Sequence, residues 1–140
     1  MRLLPETLFI TVNLIDRFLS KSILPAERYL QLVGSAAMLI ACKFHEINPP
    51  TLSDFEQCMD RAFTGPEILA TECQILTVLQ FDLNFTAPSV FLENYSRAIQ
   101  MSDPAVLVYT SYLLDLALLR VDFLRYKQSE LVVCALKIAL

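Results

Sequence analysis

The stretch LPAERYLQLVGSAAMLIACKFHEI, Leu24 to Ile47, decides the fold. It reads as one helix, starting at Pro25 and ending near Ile47, because Asn48-Pro49-Pro50 cannot continue it. Gly34, Ser35, Ala36, Ala37, Ala41 and Cys42 are small, and large apolar residues surround them. Small residues let neighbouring helices approach closely. A helix that is apolar nearly all round belongs at the centre of a bundle, so the rest of the chain has to wrap it.

Working outward, LPETLFITVNLIDRFLSK opens on Pro5-Glu6, a good first turn, and Leu8, Val12, Ile15, Phe18 and Leu19 are expected to form its apolar face. A third helix is expected from Thr51, with Asp54 completing a capping-box-like start, to near Ala62. Thr64-Gly65-Pro66-Glu67 opens a fourth, ending around Gln80. FDLNFTAP, Phe81 to Pro88, reads as a linker. Helices should follow over Ser89 to about Ile99, from a Ser102-Asp103-Pro104 cap to about Leu119, and from Gln128 to Leu140, with RVDFLRY irregular between the last two. No segment alternates cleanly as a strand. Seven helices with short connections give an all-α fold.

Composition narrows the function. The chain has 140 residues, is 55% hydrophobic and has two glycines, which suits a globular helical protein better than a turn-rich β protein. Eleven Lys+Arg stand against 15 Asp+Glu, a net charge of −4, and no basic run gives nucleic acid a footing. The uncharged run Tyr29 to Cys42 has 14 residues, short of the roughly 20 that span a bilayer. Met1 leads into the Pro-Glu helix start, so no secretory leader is expected. Cys42, Cys58, Cys73 and Cys134 are widely spaced and read as buried free thiols of a reducing compartment.

One residue resists the pattern. In ILATECQILTVL, Ile68 to Leu79, Glu72 shares its helical face with Ile68, Leu69, Ile75, Leu76 and Leu79. Lys43 likewise shares a face with Ala36, Leu39, Ile40 and Ile47. Two opposite charges on apolar faces of two helices are best explained by each other. Simpler readings stay open: Lys43 complementing a helix C-terminus, and Glu72 reaching solvent at a frayed edge. His45, beside Glu46, reads as a solvated helix-end residue.

NLIDRFL (Asn13 to Leu19), LQLVGSAAMLIACKFHEINPP (Leu30 to Pro50) and ILTVLQFDL (Ile75 to Leu83) together resemble the cyclin family, closest to its mitotic A and B types. The resemblance is strong from about residue 4 to 95. Beyond that it rests on LLDLALL (Leu113 to Leu119) and SELVVCALKIAL. It implies a cyclin-box helical bundle around the small-residue-rich helix over 1–85, lacking the box's first helix. It also implies a partial second box, its first three helices, over 86–140. The family's Met-Arg-Ala-x-Leu-x-x-Trp motif is absent, and the chain has no tryptophan.

The same resemblance implies a regulatory subunit of a cyclin-dependent protein kinase, active in cell-cycle control in nucleus and cytoplasm. Lys43 and Glu72 would grip the kinase's mobile helix, with Ile40, Phe44, Leu76, Phe81 and Leu83 as the apolar part of the grip. Leu30 and Gln31 resemble residues of a docking groove for kinase substrates or inhibitors, and Asp16 resembles the aspartate that holds the arginine of the absent motif.

Other classes fare worse. An enzyme lacks parts: one histidine, no glycine-rich phosphate loop and no clustered metal ligands, so neither metal nor cofactor is expected. A cyclin-fold nucleic-acid or transcription adaptor needs a basic face. A truncated fragment that binds nothing is the remaining alternative. Its abrupt ends lead us to expect marginal stability for the chain alone.

Overall fold

A computed structural model of the protein describes residues 3–140, and the chain divides into one unit ending at Phe85 and a second, Thr86–Leu140. The described residues form seven α-helices, one 3-10 turn and no strand.

The first unit holds α1 (Pro5–Leu19), α2 (Tyr29–His45), α3 (Leu52–Cys58) and α4 (Gly65–Val78). α2 lies at its centre, packed against α1, α3 and α4. Leu32, Val33, Ala36, Ala37, Leu39, Ile40, Ala41 and Cys42 are all buried in its core. The small residues are used unevenly. Ala36, Ala37, Ala41 and Cys42 are fully enclosed, whereas a Cβ built on Gly34 meets nothing within 4 Å.

The apolar face expected for α1 is rotated. Thr7, Ile10, Thr11, Leu14 and Phe18 form the buried stripe, at helical spacing, with Phe9 beside it, while Leu8 is exposed and Val12, Ile15 and Leu19 are half-buried. Hydropathy misses this because two positions of the stripe are threonines. Both hydroxyls are satisfied: Thr11 donates to the Thr7 carbonyl at 2.7 Å, and Thr7 donates to Glu46 Oε1 at 2.5 Å.

Helix starts follow local chemistry. The Thr51 hydroxyl accepts the Asp54 N–H at 3.3 Å while the Asp54 carboxylate accepts the Thr51 N–H at 2.7 Å. The Glu67 carboxylate accepts the Thr64 N–H at 2.8 Å. α2 is the exception, beginning four residues after the expected Pro25; residues 25–28 form bends and turns.

Helix ends come earlier than expected. α3 stops at Cys58 rather than near Ala62, and α4 at Val78 rather than Gln80. In each case the chain reverses through a Schellman motif. Arg61 N–H donates to the Glu56 carbonyl and Phe81 N–H to the Leu76 carbonyl. Asp60 and Gln80 take the left-handed position usually given to glycine.

The second unit holds α5 (Pro88–Ala98), α6 (Pro104–Leu118) and α7 (Gln128–Ala139). RVDFLRY, expected to be irregular, contains a 3-10 turn over Val121–Arg125. All three helices pack on one another, burying Leu92, Leu114, Val132, Ala135 and Leu136. The Asp103 carboxylate caps α6 by accepting the Ala105 N–H at 2.9 Å. α5 ends in a third Schellman motif, with Met101 N–H donating to the Ser96 carbonyl and Gln100 left-handed. No helix of the described residues is long and apolar enough to cross a membrane.

Candidate functional site

The packing of α4 on α2 brings Lys43 and Glu72 together. Lys43 Nζ lies 2.8 Å from both carboxylate oxygens of Glu72. Glu72 sits on the same buried face as Ile68 and Ile75, its side chain only 10% exposed, whereas the Lys43 side chain is 49% exposed. The pair therefore forms a lip, with the anion embedded in the bundle and the cation at its mouth. An ammonium has three donors, and Glu72 accounts for at most two of them. The half-exposed Lys43 head can offer a donor outward while it neutralises the carboxylate behind it.

The apolar residues expected beside this pair separate into two groups. Phe44 and Phe81 are exposed, at 56% and 70%. Leu76 and Leu83 are half-buried and pack against the core. Ile40 is a correction: at 3% exposure it belongs to the core cluster, because its position on α2 faces the bundle rather than the solvent. Leu30 and Gln31 are both exposed on the first turn of α2.

Two contacts near these residues escape hydropathy reading. Glu46 accepts the Leu4 N–H at 2.8 Å as well as the Thr7 hydroxyl. These hydrogen bonds, the hydroxyl's first, hold its carboxyl below the usual range. Arg17 donates to Asp82 Oδ2 at 3.1 Å, joining α1 to the segment after α4. Asp82 also accepts the Asn84 N–H at 3.1 Å, and this bond is the first cause of its lowered carboxyl pKa. The only sequence signal for the Arg17–Asp82 contact was opposite charge, which does not specify a pairing across 65 residues. Asp16, next to Arg17, has its pKa raised by burial.

The cysteines also need correction. Only Cys42 is buried, its thiol pushed up to about 11 by burial and then by Glu46. Cys58, Cys73 and Cys134 are exposed. Each occupies a helix position that faces away from its unit's core.

Among the described residues no group of three or more His, Cys, Asp and Glu could hold a metal ion. What the geometry offers is a charged lip and exposed aromatic rings. Comparisons with known proteins define the family. The family described as Cyclin, N-terminal domain, matches residues 1–84, and Cyclin, C-terminal domain, matches residues 86–140. The chain belongs to the cyclin family, whose members are non-catalytic regulatory proteins.

Its relatives include B-type and G2/mitotic cyclins. The chain is 41% identical over 133 residues to Cyclin-B2-1 of Oryza sativa subsp. japonica, an overlap of 95% of this chain and 31% of that protein. It is 41% identical over 138 residues to G2/mitotic-specific cyclin-B of Emericella nidulans, covering 99% and 28%. The identity to G2/mitotic-specific cyclin cig1 of Schizosaccharomyces pombe is 43% over 118 residues, covering 84% and 28%. The chain thus spans about a third of the length of the curated relatives it matches. A crystal structure of a viral cyclin from herpesvirus saimiri superposes with a TM-score of 0.85 at 23% identity, covering 96% of this chain and 59% of that one. That likeness shows the cyclin fold.

Proposed function

We propose that this chain is the kinase-gripping part of a B-type mitotic cyclin, a regulatory subunit that binds and activates a cyclin-dependent protein kinase in cell-cycle control. The observation that carries the reading is the half-open Lys43–Glu72 pair on a chain about 40% identical to mitotic cyclins. The pair hydrogen-bonds the kinase's mobile helix and nearby backbone. That helix carries the glutamate that must reach the β3 lysine for ATP to be placed. Binding favours the kinase conformation in which this contact is made. Phe44 and Phe81, with the half-exposed edges of Leu76 and Leu83, supply the apolar contact.

The reading extends to the rest of the chain. Residues 1–85 act as the first cyclin box and 86–140 as part of the second. Leu30 and Gln31, exposed on α2, take part in docking kinase substrates or inhibitors. The protein works in nucleus and cytoplasm.

Titration of the chain against a cyclin-dependent kinase tests the proposal. Lys43→Glu and Glu72→Lys should each weaken binding at least tenfold, since each breaks the pair and reverses a charge in a partner contact, where complementary charge sets affinity. Unchanged affinity in both single variants removes the pair from the mechanism.

A further inference from the structure

The segment that follows α4 contains a conformational oddity. α4 ends in a Schellman motif, with Gln80 N–H donating to the Thr77 carbonyl at 3.1 Å and Phe81 N–H to the Leu76 carbonyl at 2.9 Å. That motif asks for one left-handed residue. α5 ends in the same motif with Gln100 alone left-handed. After α4 there are two, Gln80 at φ 55° and Phe81 at φ 57°. A left-handed L-residue is strained, and burial of the ring gives nothing back, because Phe81 is largely exposed. The same doubled turn follows α3 at Asp60–Arg61, where both side chains are charged and sit in water. The turn is therefore a usable helix stop in this protein; the segment after α4 differs in carrying an exposed aromatic ring.

It also differs in being fastened through a side chain. The backbone bond is common to both turns: Asp82 N–H donates to the carbonyl of buried Leu79 at 3.0 Å, as Ala62 N–H does to that of buried Met59 at 2.9 Å. The two Asp82 oxygens are divided, Oδ1 accepting the Asn84 N–H and Oδ2 the Arg17 guanidinium, each at 3.1 Å. Leu83 and Phe85 then pack on the core. Phe81 thus carries an exposed aromatic ring in a segment held on both sides. An ion pair with side chains 27% and 54% exposed is worth little to stability. What it does fix is the direction in which the backbone presents the residue before Asp82. Strain kept by surrounding structure at such a place is a pointer to function.

We infer that Arg17 and Asp82 form a positioning clamp that holds Phe81 ready for the partner surface, so that the ring is ordered before docking. The inference rests on the kinase-docking reading above. Arg17 contributes through Phe81 and not by touching the kinase. Ordering one side chain in advance is worth about 2- to 10-fold in affinity.

The test is a cycle of variants in the full 140-residue chain, titrated against a cyclin-dependent kinase, with a thermal melt of each. Phe81→Ala should weaken binding clearly. Arg17→Met should weaken it about 2- to 10-fold with the melting temperature nearly unchanged. Arg17→Lys should recover part of that loss. Asp82→Asn keeps an acceptor for the Asn84 amide and loses the ion pair, so it should behave like Arg17→Met. The double variant Arg17→Met/Phe81→Ala should bind no worse than Phe81→Ala alone, since the clamp then has nothing to present. Additive losses overturn the inference, because Arg17 would be contacting the kinase directly. No loss in either Arg17→Met or Asp82→Asn overturns it too. If Phe81→Ala binds normally while Lys43→Glu does not, the grip stands and the clamp falls. If all of these variants bind normally, the docking reading itself has failed.

Discussion

Lys43 and Glu72 share two hydrogen bonds of 2.8 Å, yet they stand in different media: the carboxylate is buried in α4's core face and the ammonium is half in water. A wholly buried pair loses roughly 3–5 kcal/mol when one partner is removed. Here solvent at the lysine screens part of the attraction, so the pair is a weaker prop than its burial on one side suggests. On the function proposed above, a docked kinase would displace the water at its open side.

Stability and binding should therefore come apart at this pair. Lys43→Met is expected to cost about 1–2 kcal/mol, because it leaves Glu72 buried without its counter-charge. Lys43→Met/Glu72→Met should restore most of that loss. Kinase affinity should stay low in the double variant. Denaturant melts beside binding titrations check this, and recovery of affinity together with stability would count against a role in recognition.

Thr7 and Glu46 provide a pH-dependent link between the start of α1 and the end of α2. The folded-state pKa of Glu46 is lowered, so its contribution is present above the unfolded glutamate value, about 4.3, and is lost as pH falls through the lower folded value. Thr7→Val removes the largest cause of the shift. The Glu46 carboxyl should then titrate closer to its ordinary value, as followed by NMR, and the acid limb of stability should flatten. An unmoved Glu46 titration would show that the Leu4 amide alone holds the carboxylate.

Gln100 is a non-glycine residue at the left-handed position of a Schellman motif, with φ 54°. Gln100→Gly should relieve that strain and stabilise the second unit by about 1 kcal/mol. Thermal unfolding of parent and variant measures it. A neutral or destabilising result would mean that the added freedom of the unfolded glycine chain outweighs the relief.

Exposed apolar surface is extensive. Val108, Tyr112, Leu116, Leu119 and Ile138 are among the exposed large side chains of α6, α7 and the connections around them. The 140-residue chain by itself should bind a hydrophobic dye such as ANS in its folded state and self-associate with rising concentration. Dye fluorescence and light scattering test this; a dye-silent monomer with a sharp melt would contradict it.

The sequence by itself determined the class of fold and the central helix, and it marked Lys43 and Glu72 as opposite charges on apolar helix faces. Those features are written in local chemistry. Proline and capping residues start helices, small residues mark a crowded axis, and a charge on an apolar stripe stands out from its neighbours. Helix ends were less legible. With only two glycines in the chain, the left-handed stops at Asp60, Gln80 and Gln100 carry no composition signal, and backbone hydrogen bonding alone sets them. Only the tertiary structure decided which face of α1 is buried, because threonine joins a core face when a distant carboxylate or a preceding carbonyl takes its hydroxyl. It also decided that Ile40 lies inside while Phe44 and Phe81 lie outside. Hydropathy ranks those three residues alike. Their fates depend on how far each helix has rotated against its neighbours, and packing between elements distant in sequence sets that rotation.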